Sequence, residues 1–71
     1  MYKVNDIVIY QYFDDIHRVP QFRTGKILFN GDRYYTFEIT WDGRHCHTVN
    51  LSYILRYATN EEKLKFYVCN S

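Results

Sequence analysis

The feature that most constrains this chain is the run RYYTFEITWDG, residues 33 to 43. Within it, Tyr35, Phe37, Ile39 and Trp41 alternate with Tyr34, Thr36, Glu38 and Thr40. A period of two places each set on its own face of an extended strand, a pattern no helix reproduces. The apolar set is expected to face a core and the other set water. Asp42-Gly43 follows at once. Such a pair favours a two-residue type I′ turn, whose central positions both need positive φ. Residues 44 to 50 are therefore expected to return as an antiparallel strand, and the implied fold class is mainly β.

The remaining segments fit that class. Asn5-Asp6 is a turn signal, and the β-branched and aromatic run from Ile7 to Phe13 reads as a first strand. Val8 and Tyr10 would lie on one of its faces and Ile7 and Ile9 on the other. Apolar residues on both faces imply burial on both sides, or a homodimer formed through this strand. Residues 14 to 21 form a polar connection longer than a usual hairpin loop, and such loops often carry function. FRTGKILFN, residues 22 to 30, reads as a second strand in which Gly25 marks a bulge or sharp bend. Asn30-Gly31-Asp32 signals a tight hairpin. NLSYILRYA reads as a helical turn and a brief strand, with Leu51, Ile54 and Leu55 closing one end of the core. Thr59 and Glu62 have capping-box spacing and open a helix over 60–69. Leu64, Tyr67 and Val68 share one face of it at i, i+3, i+4 spacing and are expected to be its packed side.

A chain of 71 residues makes a single domain, 1–71, with a marginal core unless something reinforces it. Eight Tyr, five Phe and one Trp supply that reinforcement, since each ring buries roughly 150–250 Å². Cys46 and Cys69 are too few for a disulfide-built secreted domain. No apolar run is long enough for a membrane span, and no basic-then-apolar leader opens the chain. A cytoplasmic protein with two reduced thiols is expected, with no membrane partner. The formal net charge of +1 argues against nucleic-acid binding driven mainly by charge, while leaving room for a local basic face.

The order of these signals resembles an SH3-like barrel of the Tudor, chromo-barrel and KOW kind. YKVNDIVIY is similar to the opening "hydrophobic–x–Gly–Asp–x–Val" of such domains, with Asn5 where Gly is common. RTGKI resembles their second strand, and FEITWDGRHCHTVNLSYILRYA their closing half. The resemblance spans residues 2 to 58 and leaves the helix as an addition. It implies a small barrel of about five strands with a short C-terminal α-helix, and a binding module rather than an enzyme.

His45-Cys46-His47 is the densest chemical cluster. On a strand the two histidines share one face and Cys46 takes the other. The tight turn would set the histidines opposite Glu38 and Thr40 on a wet face, with Cys46 and Trp41 pointing inward. Two histidines at i, i+2 could share a metal with His17 or a carboxylate, but no CxxC or HxxxH spacing supports it. Cys46 cannot pair with an adjacent histidine for nucleophilic chemistry. Neither metal nor cofactor is expected, nor catalysis.

Binding residues are sought among the aromatic and basic side chains. Tyr10, Tyr12, Phe13, Tyr34 and Trp41 would line a groove, stacking on bases or enclosing a cation such as methylated lysine. Arg18, Arg23, Lys26, Arg33 and Arg44 would form a modest basic strip. The expected function is a non-enzymatic module for protein–protein interaction, in the style of a phage or mobile-element accessory protein that modulates a host factor. The candidate site residues are Tyr12, Phe13, Arg23, Lys26, Arg33, Tyr34, Trp41, His45 and His47. The alternative is a nucleic-acid-binding barrel using Tyr12, Tyr34, Arg23, Lys26 and Arg33.

Overall fold

The computed structural model describes residues 2–13, 16 and 19–70, with Tyr34 described by its backbone alone. Five strands follow one another: β1 (Ile7–Phe13), β2 (Pro20–Asn30), β3 (Thr36–Thr40), β4 (Cys46–Asn50) and β5 (Ile54–Tyr57). A helix, α1 (Asn60–Cys69), closes the chain. All strand pairs are antiparallel, and the sheet order is β4-β3-β2-β1-β5. The domain is thus mainly β with one C-terminal helix. No helix among the described residues is long and apolar enough to cross a membrane.

The shape follows from one short connection. Strands β4 and β5 are the two edges of the sheet, yet only the 3-10 turn Leu51–Tyr53 separates them. Edges of a flat five-stranded sheet would lie about 19 Å apart, at roughly 4.8 Å per strand. Three residues of 3-10 helix rise about 6 Å. The sheet therefore curls until its edges converge at that end. It is hydrogen-bonded as an open sheet among the described residues, short of the closed ladder a barrel would have.

Curling produces an inside. Val8, Tyr10, Ile27, Phe37, Ile39, Val49 and Ile54 are buried together there, with Tyr2, Tyr12 and Leu51 packed against them. Gly25 permits the curl: a Cβ there would strike the Ile39 side chain and stand 2.8 Å from Tyr10 Cε1 and 2.9 Å from the Thr40 carbonyl. The bulge itself falls three residues later, at Leu28, where the β2–β3 register shifts between Ile27 and Phe29. Asn5 has φ +78°, the left-handed conformation that Asn tolerates better than most residues.

The outer face of β1 makes a second, smaller core. Ile7 and Ile9 pack with Ala58 and with Phe66 from α1. Apolar residues on both faces of β1 are thereby buried within one chain. The capping box forms as the sequence implies, with Thr59 Oγ1 accepting from the Glu62 amide and Glu62 Oε1 from the Thr59 amide. Its packed face differs from the expected one. Phe66 is the buried residue of the helix, while Leu64, Tyr67 and Val68 are exposed. The direction in which Ala58 and Thr59 launch the helix decides this, and periodicity alone carries no such information.

Two strand expectations also need correction. Tyr35 belongs to the β2–β3 connection, after the 3-10 turn Asp32–Tyr34, and is exposed. The alternation is structural only from Thr36 onward. Leu55 is half-exposed and does not join Leu51 and Ile54 at the core.

Candidate functional site

The β3–β4 hairpin sets the site, and its loop is longer than a two-residue turn. Thr40 pairs with Cys46 and Ile39 with His47, so residues 41–45 form the loop. Gly43 has φ +82°. Asp42 holds the loop open by accepting at once from the Arg44 amide (2.8 Å), the His45 amide (2.7 Å) and His45 Nδ1 (2.6 Å). Thr40 Oγ1 accepts from the Gly43 amide at 2.9 Å. These local side-chain bonds compete successfully with the tighter turn. They also hold the Asp42 carboxyl far below the usual carboxylate range, the backbone N–H of His45 contributing most.

Five loop residues in place of two is an odd difference that shifts the register by one, and a shift of one exchanges the faces of every following side chain. His47 now pairs with buried Ile39 and turns to the inner face, while Cys46 is exposed. The expected assignment is reversed for Cys46 and His47, while His45 stays exposed as expected. Trp41 keeps the inner side but sits at its rim, half-buried. His47 stacks on it with centroids 4.2 Å apart, and exposed His45 stacks at 5.7 Å.

Strands β1 and β2 bring the other members. Tyr10 is fully buried, and its hydroxyl shares a hydrogen bond with His47 Nδ1 at 3.2 Å. Burial pushes the Tyr10 phenol up to about 12, so it remains a hydroxyl. Burial, with the Arg23 charge adding to it, pushes His47 below the ordinary histidine value. Tyr12 stacks obliquely on His47 at 5.5 Å. Arg23 pairs across the ladder with Tyr10 and reaches over both rings. Its Cζ lies 4.3 Å from the Tyr12 centroid and 4.9 Å from that of Trp41, and Nη2 donates to the Tyr12 hydroxyl at 2.8 Å.

Beside this cluster runs a groove of about 260 Å³ lined by Gln11, Tyr12, Phe13, His47, Thr48, Val49 and Tyr53. It lies where β1 faces β4 across the unpaired seam of the curled sheet. Phe13 and Tyr53 meet edge to face at 5.9 Å and are 58% and 41% exposed, so their rings are presented to the groove's mouth.

Five of the nine expected residues, Tyr12, Arg23, Trp41, His45 and His47, thus gather in one cluster, and Phe13 adjoins it. Lys26 does not join. It pairs with Ile7 and Thr40 on the face that α1 covers. Arg33 lies beyond the opposite end of β3 from Trp41, in the β2–β3 connection. The Tyr34 side chain, His17, Arg18 and residues 14–15 lie outside what the structure describes. Tyr53 was not expected, because a residue in a short helical turn shows no groove-lining signal in sequence. Asp42 read only as a turn residue.

A second cleft, of about 430 Å³, opens on the helix side between Ile9, Phe22, Arg23, Thr24, Leu55, Arg56 and Glu62. Two of its polar groups satisfy each other: Arg56 donates to both Glu62 oxygens, at 2.8 and 3.1 Å. The pair holds Glu62 down at about 2 and clamps the start of α1. No three of His, Cys, Asp and Glu gather as a metal-binding group among the described residues.

No family model matches the chain, and neither does any curated protein or solved structure.

Proposed function

We propose that this chain is a non-enzymatic binding module of SH3-like architecture, and that its partner is a protein that lays an extended segment in the seam groove. The curled meander, with β5 returning beside β1, supports the architecture. The groove carries the function: two partly exposed aromatic rings, Phe13 and Tyr53, stand over a floor of Tyr12 and Val49. Aromatic residues in such recesses anchor protein interfaces. The basic strip that nucleic-acid binding would use is dispersed, since Arg23 alone of Arg23, Lys26 and Arg33 reaches the cluster.

Selection of a random peptide library on the purified protein tests this reading. Selected peptides are expected to shift the amide resonances of Tyr12, Phe13, His47 and Tyr53. Phe13→Ala and Tyr53→Ala should weaken binding about tenfold or more, as truncated interface aromatics do, with melting unchanged. Binding that maps to α1, or that survives both substitutions, overturns the groove assignment.

A further inference from the structure

Arg23 is a cation with no carboxylate within ion-pair distance among the described residues. Among them Glu62 pairs with Arg56, and Asp42 is hydrogen-bonded to His45. The rings around the guanidinium are those of Tyr10, Tyr12, Trp41 and His47, and the Asp42 charge acts on Tyr10 from beyond them. Its Cζ lies over the Tyr12 and Trp41 rings, and a guanidinium carries its N–H donors at its edge. One of those donors is bound to the Tyr12 hydroxyl, and Tyr12 also lines the groove. A charge in so aromatic and partly buried a setting is screened less than one in open water.

This arrangement discriminates between ligand charges. A cationic ligand, methylated lysine included, would find the Tyr12 and Trp41 faces already covered by a guanidinium and would meet like charge. An apolar group there would leave the charge unpaired. A carboxylate is planar and matches the edge of a guanidinium in a fork-to-fork pair.

Resting on the protein-binding reading above, we propose that Arg23, hydrogen-bonded to the groove-lining Tyr12, is an anion-recognition residue beside the seam groove. The segment bound there carries an Asp or Glu beside the apolar residue that seats against Phe13 and Tyr53. The stacked rings hold the guanidinium in place, so little rotamer freedom remains to be lost on binding.

The test applies a random library of peptides about twelve residues long to the wild type, Arg23→Gln, Arg23→Lys and Tyr53→Ala. The wild type is expected to enrich an acidic residue at a fixed distance from an aromatic or aliphatic one. Arg23→Gln should keep the apolar preference and lose the acidic one. For one selected peptide, changing its acidic residue to the amide should weaken wild-type binding about tenfold and leave Arg23→Gln binding unchanged. Arg23→Lys, which retains the charge without the planar fork, should fall between them and serves if the Gln variant does not fold. Equal wild-type affinity for the acid and amide peptides, with Tyr53→Ala weakening both, overturns the Arg23 assignment and leaves the protein-binding reading standing. Enrichment of no peptide overturns both, and binding of oligothymidine lost in Arg23→Gln would then assign the cluster to nucleic acid.

Discussion

The imidazole of His47 lies on the indole of Trp41, ring centroids 4.2 Å apart, while its Nδ1 shares a hydrogen bond with the Tyr10 hydroxyl at 3.2 Å. Both contacts require His47 on the inner face of the curled sheet, and its pairing with Ile39 puts it there. The hairpin loop thereby decides which side chain of His45-Cys46-His47 meets the groove.

Acidification should destabilise the protein through His47. Its folded-state pKa lies below the ordinary 6.5, through burial and the Arg23 charge. The unfolded chain therefore takes up the proton first, and stability rises with pH across this window. The contribution is complete above about 6.5 and is lost as pH falls through the folded value. Melting temperatures measured from about pH 7.5 to about pH 5 should fall more steeply for the wild type than for His47→Gln. Parallel curves would show that His47 is not the linked group.

Cys46 should react as a surface thiol. It is exposed in the folded protein, as is Cys69. Alkylation under native conditions, read by mass spectrometry, should modify Cys46 at a rate close to that in denaturant. Protection of Cys46 until unfolding would mean that the tighter hairpin, with its opposite faces, is the one that forms.

Gly25→Ala should cost about 3 kcal/mol, the upper part of the range for overpacked sites. The added methyl collides with Ile39 and approaches Tyr10 and the Thr40 backbone, none of which is a free-swinging chain end. Urea denaturation should show a large drop in midpoint. A loss below about 1 kcal/mol would mean that the sheet relaxes around the methyl group.

The helix should depend on Phe66 rather than on its exposed apolar residues. Phe66→Ala should cost about 3 kcal/mol, because it empties the core shared with Ile7, Ile9 and Ala58. Leu64→Ala should stay within about 0.5 kcal/mol, as expected for a surface site. Thr59→Ala removes the cap and should cost about 1 kcal/mol, with faster amide exchange in the first turn of α1. The reverse order for Phe66 and Leu64 in denaturant melts would assign the packed face wrongly.

The sequence by itself determined what is local. The β-branched run of β1 has the bounds that its residues imply, Ile7–Phe13, because strand propensity and the Asn5-Asp6 turn act within a few residues. The Thr59–Glu62 box likewise fixes Asn60–Cys69, since a cap satisfies amides of its own first turn. Only the tertiary structure decided the faces. Asp42 gathers three donors and sets a five-residue hairpin loop in place of a two-residue turn, and this turns His47 in and Cys46 out. Chain direction after β5 selects Phe66 over Leu64. Arg23, Tyr12, Trp41 and His47 come from three strands and a loop, so their meeting depends on ladder register. Register is a sum of small competing turn and packing energies over distant residues, and no short stretch of the sequence contains that sum.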